Sequence, residues 1–282
     1  MMFFRQLRNE LIKLFGKKRT YIGFGMFLLA QNAMLFGFHF AKGWRSFYER
    51  SLEGNGYLVE DYISALTVAM IMLIPQILLL MPLYTGLIGG DLVAKEAEDG
   101  TLRMILSRPI SRWRLLVVKW SAGVVFAVAQ VLALGIMAII FARLWFPWRG
   151  MFVFMPEPEH VFRVLSATAG LKYYAMSHIF LAINASTMMT IAFMFGCFNM
   201  KPAAATILSI SLLLLNLVLE SIPALSEYRP YLLLHQFRVW MAIYADPLDW
   251  SRIVTALSVL VAFNVTCFVV GATAFHVRDI KS

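Results

Sequence analysis

The spacing of the charged residues constrains this chain more than any other feature, because it leaves six long stretches without Asp, Glu, Lys or Arg. In chain order these stretches contain 22, 29, 23, 28, 18 and 25 residues. A helix rises 1.5 Å per residue, so about 20 residues cross a hydrocarbon core of roughly 30 Å. The composition agrees, since 60% of the residues are hydrophobic and only 15% are charged, against about a quarter in soluble domains. The sequence therefore predicts an all-α integral membrane protein with six transmembrane helices.

The segments outside the spans have patterns of their own. Leu7, Leu11 and Leu14 recur at helical spacing opposite basic residues, which predicts an amphipathic elbow helix in the membrane interface. Before the sixth span, apolar runs too short to cross a bilayer alternate with prolines, which predicts short re-entrant external helices. The predicted segments of this single transmembrane domain (1–282) are the elbow (3–18), spans at 20–41 and 64–90 joined by a short external loop (42–61), a cytoplasmic coupling loop (91–119), the third span (120–142), an external segment (143–172), spans at 173–199 and 202–220, an external segment (221–251) and the sixth span (253–277).

The basic residues predict the orientation. With an even number of spans both termini lie on one side, and that side holds 15 Lys and Arg against six Asp and Glu, whereas the other side holds 10 of each. The positive-inside rule makes the basic side cytoplasmic, so we expect a multi-pass protein of the inner (cytoplasmic) membrane with both termini in the cytoplasm. The basic pI of 9.7 is then explained by topology and by contact with anionic membrane lipids, and no nucleic-acid partner is expected.

The sequence contains no recognisable catalytic machinery. None of the six span cores carries an Asp, Glu, Lys or Arg, which is atypical of proton- or sodium-coupled carriers. The chain has neither a phosphate-binding loop nor a metalloprotease motif. We therefore expect no catalytic, cofactor-binding or metal-binding residue in this chain, and any energy for uphill transport must come from another polypeptide.

Polar side chains within the spans have two interpretations. They form hydrogen bonds between helices, or they line a substrate pathway. The candidates for the pathway are Gln31, Asn32, His39, Gln76 and Asn216.

The loop between the second and third spans has the most ordered pattern. Gly100 allows a tight turn, Thr101 is placed to cap a short helix at 102–107, and Pro109 ends that helix. Ser111 then caps a second helix that leads into the third span. The pattern predicts a compact helix–turn–helix below the membrane, suited to contact with another protein.

At these residues the chain resembles the permease subunits of the type-2 (export) family of ABC transporters. Their corresponding loop runs acidic–x–acidic–x–Gly–Thr–Leu, then Leu-Leu-Ser-x-Pro, then Ser-Arg, an aromatic residue, a leucine pair and Lys. The chain departs from that pattern at Val117-Val118, where a small residue is commoner. The matching residues are Glu96, Glu98, Gly100, Thr101, Leu102, Leu106, Ser107, Pro109, Ser111, Arg112, Trp113, Leu115 and Lys119.

The resemblance implies a fold, a mechanism and partners. Such permeases pair with a second copy or a paralogue, and each docks a cytosolic ATPase of a dimer through this loop, the coupling helix, with ATP and Mg bound by the ATPase. An accessory extracytoplasmic protein is a further partner, and we expect the face around Leu102, Ile105 and Leu106 to be exposed for docking. The residues expected to couple to the ATPase are Glu96, Glu98, Gly100, Thr101, Leu102, Ile105, Leu106, Pro109 and Arg112.

Other classes of membrane protein fit the sequence less well. A membrane-embedded assembly or scaffold protein needs neither an ATPase partner nor a polar cavity. A channel or secondary carrier lacks its usual intramembrane charges here, and a membrane enzyme lacks its motifs. The sequence therefore favours the permease subunit of an ATP-driven exporter, forming half of the translocation pathway.

Overall fold

The computed structural model describes residues 2–107, 110–155 and 161–277. Within these ranges, six helical segments are long and apolar enough to cross a membrane. These segments are Lys18–Phe40, Ala65–Glu98, Arg112–Trp145, Ala167–Cys197, Pro202–Ser221 and Trp250–Val277. The predicted all-α membrane protein with six spans is confirmed.

The long helices alternate in direction, with short elements at both ends of the bundle. The helices are α1 (Met2–Phe15), α2 (Lys18–Phe40), α3 (Lys42–Glu53), α4 (Val59–Tyr62), α5 (Ala65–Pro75), α6 (Met81–Glu98), α7 (Thr101–Leu106), α8 (Arg112–Trp145), α9 (Ala167–Cys197), α10 (Pro202–Ser221), α11 (Leu233–Phe237), α12 (Val239–Ala242) and α13 (Trp250–Val277), and the strands are β1 (Met151–Met155) and β2 (Val161–Leu165). We call the end that holds α1, α7 and the last turn of α13 the basic end. The opposite end, with α3, the two strands, α11 and α12, is the hairpin end.

The second span is one long helix with an irregular turn. Pro75 lacks an N–H group and crowds the preceding turn, so α5 widens into a π-helical turn, Gln76–Leu80, before α6 begins. The whole segment Ala65–Glu98 has 34 residues. At 1.5 Å per residue it is about 51 Å long, more than the roughly 45 Å of a bilayer with its headgroups. The helix therefore continues past position 90, where the charge-free stretch ends.

The centre of the bundle depends on close approach of α6 to α9. A Cβ atom at Gly89 would lie 2.2 Å from the carbonyl oxygen of Met189, so only glycine fits there. Gly86 and Gly90 face α10, where added Cβ atoms would lie 3.0 Å from Ser209 Oγ and Thr206 Oγ1. Small residues thus allow both neighbours of α6 to pack closely, as is usual between membrane helices.

The hairpin end contains more secondary structure than the sequence predicted. The expected short loop 42–61 instead contains α3 and α4, and the external segment 143–172 contains an antiparallel hairpin of β1 and β2. The hairpin is held to the bundle because Phe152 N donates to Thr67 Oγ1 at 2.8 Å. Tyr48 of α3 packs edge-on against Phe152, and Phe162 of β2 packs against the same ring. Aromatic packing therefore orders a region that looked like loop in the sequence.

The stretch before the sixth span is a series of short helices. A 3₁₀ helix, Pro223–Tyr231, is followed by α11 and α12, each too short to cross a bilayer. Leu233, Phe237 and Trp240 are buried against the long helices. Short helices at this position were predicted, and their entry into the outer leaflet stays a prediction.

Candidate functional site

The connection between α6 and α8 is built from a glycine turn, one short helix and a capped start. Gly100 has a φ of +73°, a left-handed conformation that favours glycine, and it lets the chain turn from α6 into α7. The predicted capping role of Thr101 is wrong, because Gly100 holds the cap position and the Thr101 hydroxyl donates to Glu96 O instead. Ser111 caps α8 as predicted, accepting from Arg114 N at 3.3 Å.

The outward face of α7 differs from the face that the sequence predicted. Leu102 is only 2% exposed, so its expected place on the docking surface is wrong: it packs into the bundle core. Met104 is 66% exposed and Arg103 is also exposed, and neither was among the expected contacts. Ile105 and Leu106 are half-buried. The surface that α7 presents is therefore apolar and basic, centred on Met104.

The other expected coupling residues are dispersed. Glu98 is exposed and its carboxylate accepts from Lys95 Nζ at 2.8 Å. Arg112 donates to the carbonyl oxygen of His276 at 2.8 Å, which ties the start of α8 to the end of α13. Pro109 lies outside the described residues. Only part of the predicted set thus faces outward at the loop.

Glu96 lies inside the protein, in a cluster of charged side chains. Its Oε2 atom is 2.7 Å from Lys119 Nζ, and its Oε1 atom is paired with Lys13 Nζ. Lys119 is completely buried and also contacts Glu10 Oε2 at 3.1 Å. A buried lysine is rare unless it is paired. These two lysines and two carboxylates join α1, α6 and α8 directly behind the turn at Gly100.

The amphipathic helix α1 follows the start of α8. Its contacts advance in the same direction along both helices, so the two run side by side. In order along α1, the contacts with α8 are Arg114 Nε to Gln6 Oε1 at 3.0 Å, Lys119 Nζ to Glu10 Oε2 at 3.1 Å, and the rings of Phe126 and Phe15 at 5.3 Å.

The turn between α1 and α2 is also rich in charge. A further ion pair, Arg19 with Asp91, joins the start of α2 to α6. Lys17 lies in this turn, and its burial together with the nearby positive charge of Arg19 lowers its pKa.

The sequence contained the cluster without revealing it. Lys119 belonged to the loop motif, but its charge was assigned to membrane topology, as were those of Lys13 and Glu10. The signal that could have found the pairing is Glu10, an acidic residue at a partly buried position of α1 and away from the exposed Arg5 and Arg8.

The polar residues expected along a pathway each have a local bond or contact. Gln31 Nε2 donates to Leu134 O at 2.9 Å, which joins α2 to α8. Asn216 donates within α10 and accepts from Leu233 N at 2.9 Å. Asn32 and Gln76 donate to carbonyl oxygens of their own helices, and His39 packs against Trp145 and Phe40. None of the five lines the cavity among the π-helical turn, α6 and α9–α12 or the cavity among α8, α9 and α13, and their role in transport stays a prediction.

The described residues offer no group of three or more His, Cys, Asp or Glu that would suit a metal ion. What they do offer is a bundle of six apolar helices with an ordered, partly exposed element at its basic end. This architecture defines a multi-pass membrane protein, with α7 as its candidate docking element.

A family model described as "ABC-2 family transporter protein" matches residues 17–279, and the chain belongs to this family. It is a permease component of an ABC transporter, as the resemblance in the loop implied, and membership of the family implies association with an ATPase subunit. Among curated proteins, none matches the chain.

Proposed function

We propose that this chain forms half of the translocation pathway of an ATP-driven exporter in the cytoplasmic membrane, with its basic end and both termini in the cytoplasm. The excess of nine positive charges supports this orientation, because all of it falls on one side of the six-span topology. A second copy or a paralogue completes the pathway. The apolar faces of α2 and α10 suit such a partner, since only 22% of an apolar 18-residue stretch in each of these spans is buried within the chain.

The partner that supplies energy is a cytosolic ATPase dimer, which binds ATP and Mg. The observation that carries this proposal is the geometry of α7, which projects Met104 outward while Leu102 anchors the helix in the core. Methionine is common at protein-binding surfaces because its flexible thioether adapts to a partner, and here it stands beside the exposed Arg103. On the opposite side of the membrane, the aromatic hairpin end is a candidate surface for an accessory extracytoplasmic protein.

The buried ion cluster gives the docking element a mechanical connection. Thr101 of α7 bonds to Glu96 O, and the Glu96 side chain bonds to Lys119 and Lys13. A push on α7 therefore acts on α6, α8 and α1 together. The three helices move as one unit because separating them would leave buried charges unpaired.

The experiment is a pair of substitutions at one exposed position. Met104→Asp places a charge in the proposed apolar contact, which is costly when the charge is unpaired, so binding of the ATPase and transport per ATP hydrolysed should both fall. Met104→Leu keeps an apolar side chain of similar size and should retain both. Co-purification of the ATPase with the tagged permease measures docking, and substrate accumulation in vesicles measures transport.

A second control lies inside a span. Gln130 of α8 is fully buried with both amide atoms unpartnered in the described structure, so Gln130→Leu should leave docking unchanged. If the Met104→Asp protein bound its ATPase and transported normally, α7 would be only a connector and this proposal would be wrong.

A further inference from the structure

The turn between α1 and α2 is fixed to the helices on both of its sides. Thr20 Oγ1 donates to Leu14 O at 2.7 Å, and Thr20 N donates to Lys17 O at 3.0 Å. The hydroxyl of Tyr84 in α6 donates to Thr20 O at 2.6 Å. The backbone that carries Lys17 and Lys18 is therefore held against both α1 and α6.

Two of the basic residues near this turn are already neutralised by α6. Lys13 pairs with Glu96, and Arg19 pairs with Asp91. Both carboxylates are buried and both are in use. The first turn of α2 adds no acidic residue of its own.

Lys17 and Lys18 carry the charge that remains. Lys17 is half-buried and Lys18 is exposed, and neither has a carboxylate partner within the part of the chain that the structure describes. Burial and the positive charge of Arg19 lower the pKa of Lys17, so its surroundings disfavour the charged form. An anion bound beside the two lysines would offset that cost, because it would supply the missing partner.

The position of the two lysines favours a membrane lipid as the source of this anion. The exposed residues Tyr21 and Ile22 follow directly, and with them the apolar outer face of α2 begins. Tyrosine is enriched where a membrane helix passes through the headgroup region. Basic residues directly outside such a helix attract anionic lipids. Lys17 and Lys18 thus lie at the level of the lipid phosphates.

This pair is separate from the other exposed cations of α1. Arg8 lies seven residues before the end of the helix, roughly 10 Å along its axis, and Arg5 lies one turn further away. The Debye length at physiological ionic strength is about 8 Å, so the two basic pairs act on headgroups largely independently. Lys17 and Lys18 are adjacent on a fixed turn, whereas Arg5 and Arg8 are separate charges on a helix surface.

We propose that Lys17 and Lys18 form a discrete binding site for the phosphate group of an anionic membrane lipid. A phosphate monoester carries about −1.5 to −2 charges at pH 7, which two ammonium groups balance. Phosphatidic acid, whose headgroup is such a monoester, is therefore the lipid that suits the pair best. The assignment to the cytoplasmic leaflet rests on the orientation given in the proposed function, whereas the binding itself does not.

Protection from acetylation measures occupancy of the site residue by residue. The full chain in detergent is treated with acetic anhydride at increasing concentrations of dioctanoyl phosphatidic acid, and mass spectrometry measures the modified fraction of each lysine. We expect saturable protection of Lys17 and Lys18 and none of the exposed Lys172 and Lys201. Dioctanoyl phosphatidylcholine, which has no net charge, should protect neither pair. Absence of saturable protection by phosphatidic acid would overturn the proposal.

Two double variants remove equal charge from the two basic pairs. Lys17→Gln with Lys18→Gln should weaken phosphatidic acid about thirtyfold in native mass spectrometry, since each basic residue near the surface contributes about fivefold. Arg5→Gln with Arg8→Gln should weaken it by no more than about threefold, because these charges lie beyond a Debye length. Equal losses in the two variants would overturn the proposal, since binding would then follow net charge alone.

A charge-preserving variant separates binding from folding. Lys17→Arg with Lys18→Arg keeps both cations and their ability to bind phosphate, so it should protect the site as the natural lysines do. The Gln variant should melt at the same temperature as the natural protein, because neither lysine has a carboxylate partner among the described residues. Loss of affinity in the Arg variant as large as in the Gln variant would contradict a site that recognises charge.

Competition identifies what the site recognises. Inorganic phosphate and glycerol 3-phosphate have the anionic group without acyl chains, and should not displace dioctanoyl phosphatidic acid at equal concentration. Displacement by either would assign the site to a free phosphate and overturn the lipid assignment. If the Gln variant lost its ATPase in co-purification but kept phosphatidic acid, the pair would belong to a protein contact, which would also overturn it.

The binding test and the transport test fail independently. Acetylation is measured on the permease alone and needs no ATPase. Protection by phosphatidic acid in a protein that never transports would contradict only the proposed function. Lack of protection in an active transporter would overturn only the lipid site.

Discussion

Replacing Lys119 by Met tests whether the basic end is held together by its buried charges. The side chain is completely buried and lies 2.7 Å from Glu96 Oε2 and 3.1 Å from Glu10 Oε2. Met fills nearly the same volume without the charge, so Lys119→Met leaves both carboxylates without their shared cation while changing the packing little.

The magnitude follows from the burial of the three groups. Removing one partner of a buried ion pair typically costs about 3–5 kcal/mol. Glu96 keeps Lys13 as a partner and Glu10 is partly exposed, so we expect the low end, about 3 kcal/mol. One kcal/mol shifts the melting temperature of a domain of this size by about 2–4 °C, which predicts a fall of at least roughly 6 °C.

Thermal unfolding in detergent, followed by circular dichroism, measures the effect. The matched control adds Glu10→Gln and Glu96→Gln to Lys119→Met, which removes the unpaired charges. This triple variant should recover most of the loss, because a neutral buried cluster no longer carries the desolvation cost of unpaired carboxylates. The reasoning would be refuted if the Lys119→Met protein melted within about 1–2 °C of the natural protein, because 1 kcal/mol corresponds to about 2–4 °C.

Three further predictions concern the turn, the packing and the orientation. Gly100→Ala should lower the free energy of unfolding by about 1–2 kcal/mol, because residue 100 has a φ of +73°. Gly25→Ala, on α2 where an added Cβ atom would meet open space, should not cause this loss. Thermal unfolding of both variants measures the difference. Gly89→Val should cost about 1–3 kcal/mol by forcing α6 from α9, and an unchanged melting temperature would contradict that contact. Single cysteines are introduced at Lys201 and at Glu53 in a background without the two buried native cysteines. The cysteine at position 201 should react only with reagents on the cytoplasmic side, and the cysteine at position 53 only with reagents outside. Labelling of position 201 from outside would contradict the orientation.

The number and class of the spans could be predicted because they depend on the simplest physical quantity, the length of chain that lipid solvates. The ends of the second and third long helices could not be predicted. Asp91 and Lys119 bound two of the charge-free stretches, yet the helices continue to Glu98 and begin at Arg112. A charge marks the end of a span only if water must solvate it. Here each charge has a partner from another helix, and sequence spacing does not contain that pairing.

The candidate site divides in the same way between local and tertiary effects. The capping by Ser111 and the turn at Gly100 are local, and the sequence predicted both. The outward face of α7 is not local, because a six-residue helix has fewer than two turns and its periodicity cannot distinguish faces. Contacts with the core bury Leu102 and leave Met104 outside. The strands Met151–Met155 and Val161–Leu165 also depend on contacts with other elements, and the sequence predicted only an external segment there.

The two roles of α1 fall on different sides of one helix. Glu10 faces inward and pairs with Lys119, whereas Lys13, whose side chain is 42% exposed, lies at the rim and pairs with the buried Glu96, so the local pairing largely cancels their charge as seen from outside. The outward side carries the exposed Arg5 and Arg8 beside the exposed apolar residues Phe4 and Ile12, a mixture typical of helices in the membrane interface. The unpaired outward charges are therefore the ones that attract anionic lipid and favour the cytoplasmic side. Orientation and coupling thus depend on separate residues of the same fourteen-residue helix, because the paired charges contribute little to the electrostatic attraction between the helix and the membrane surface.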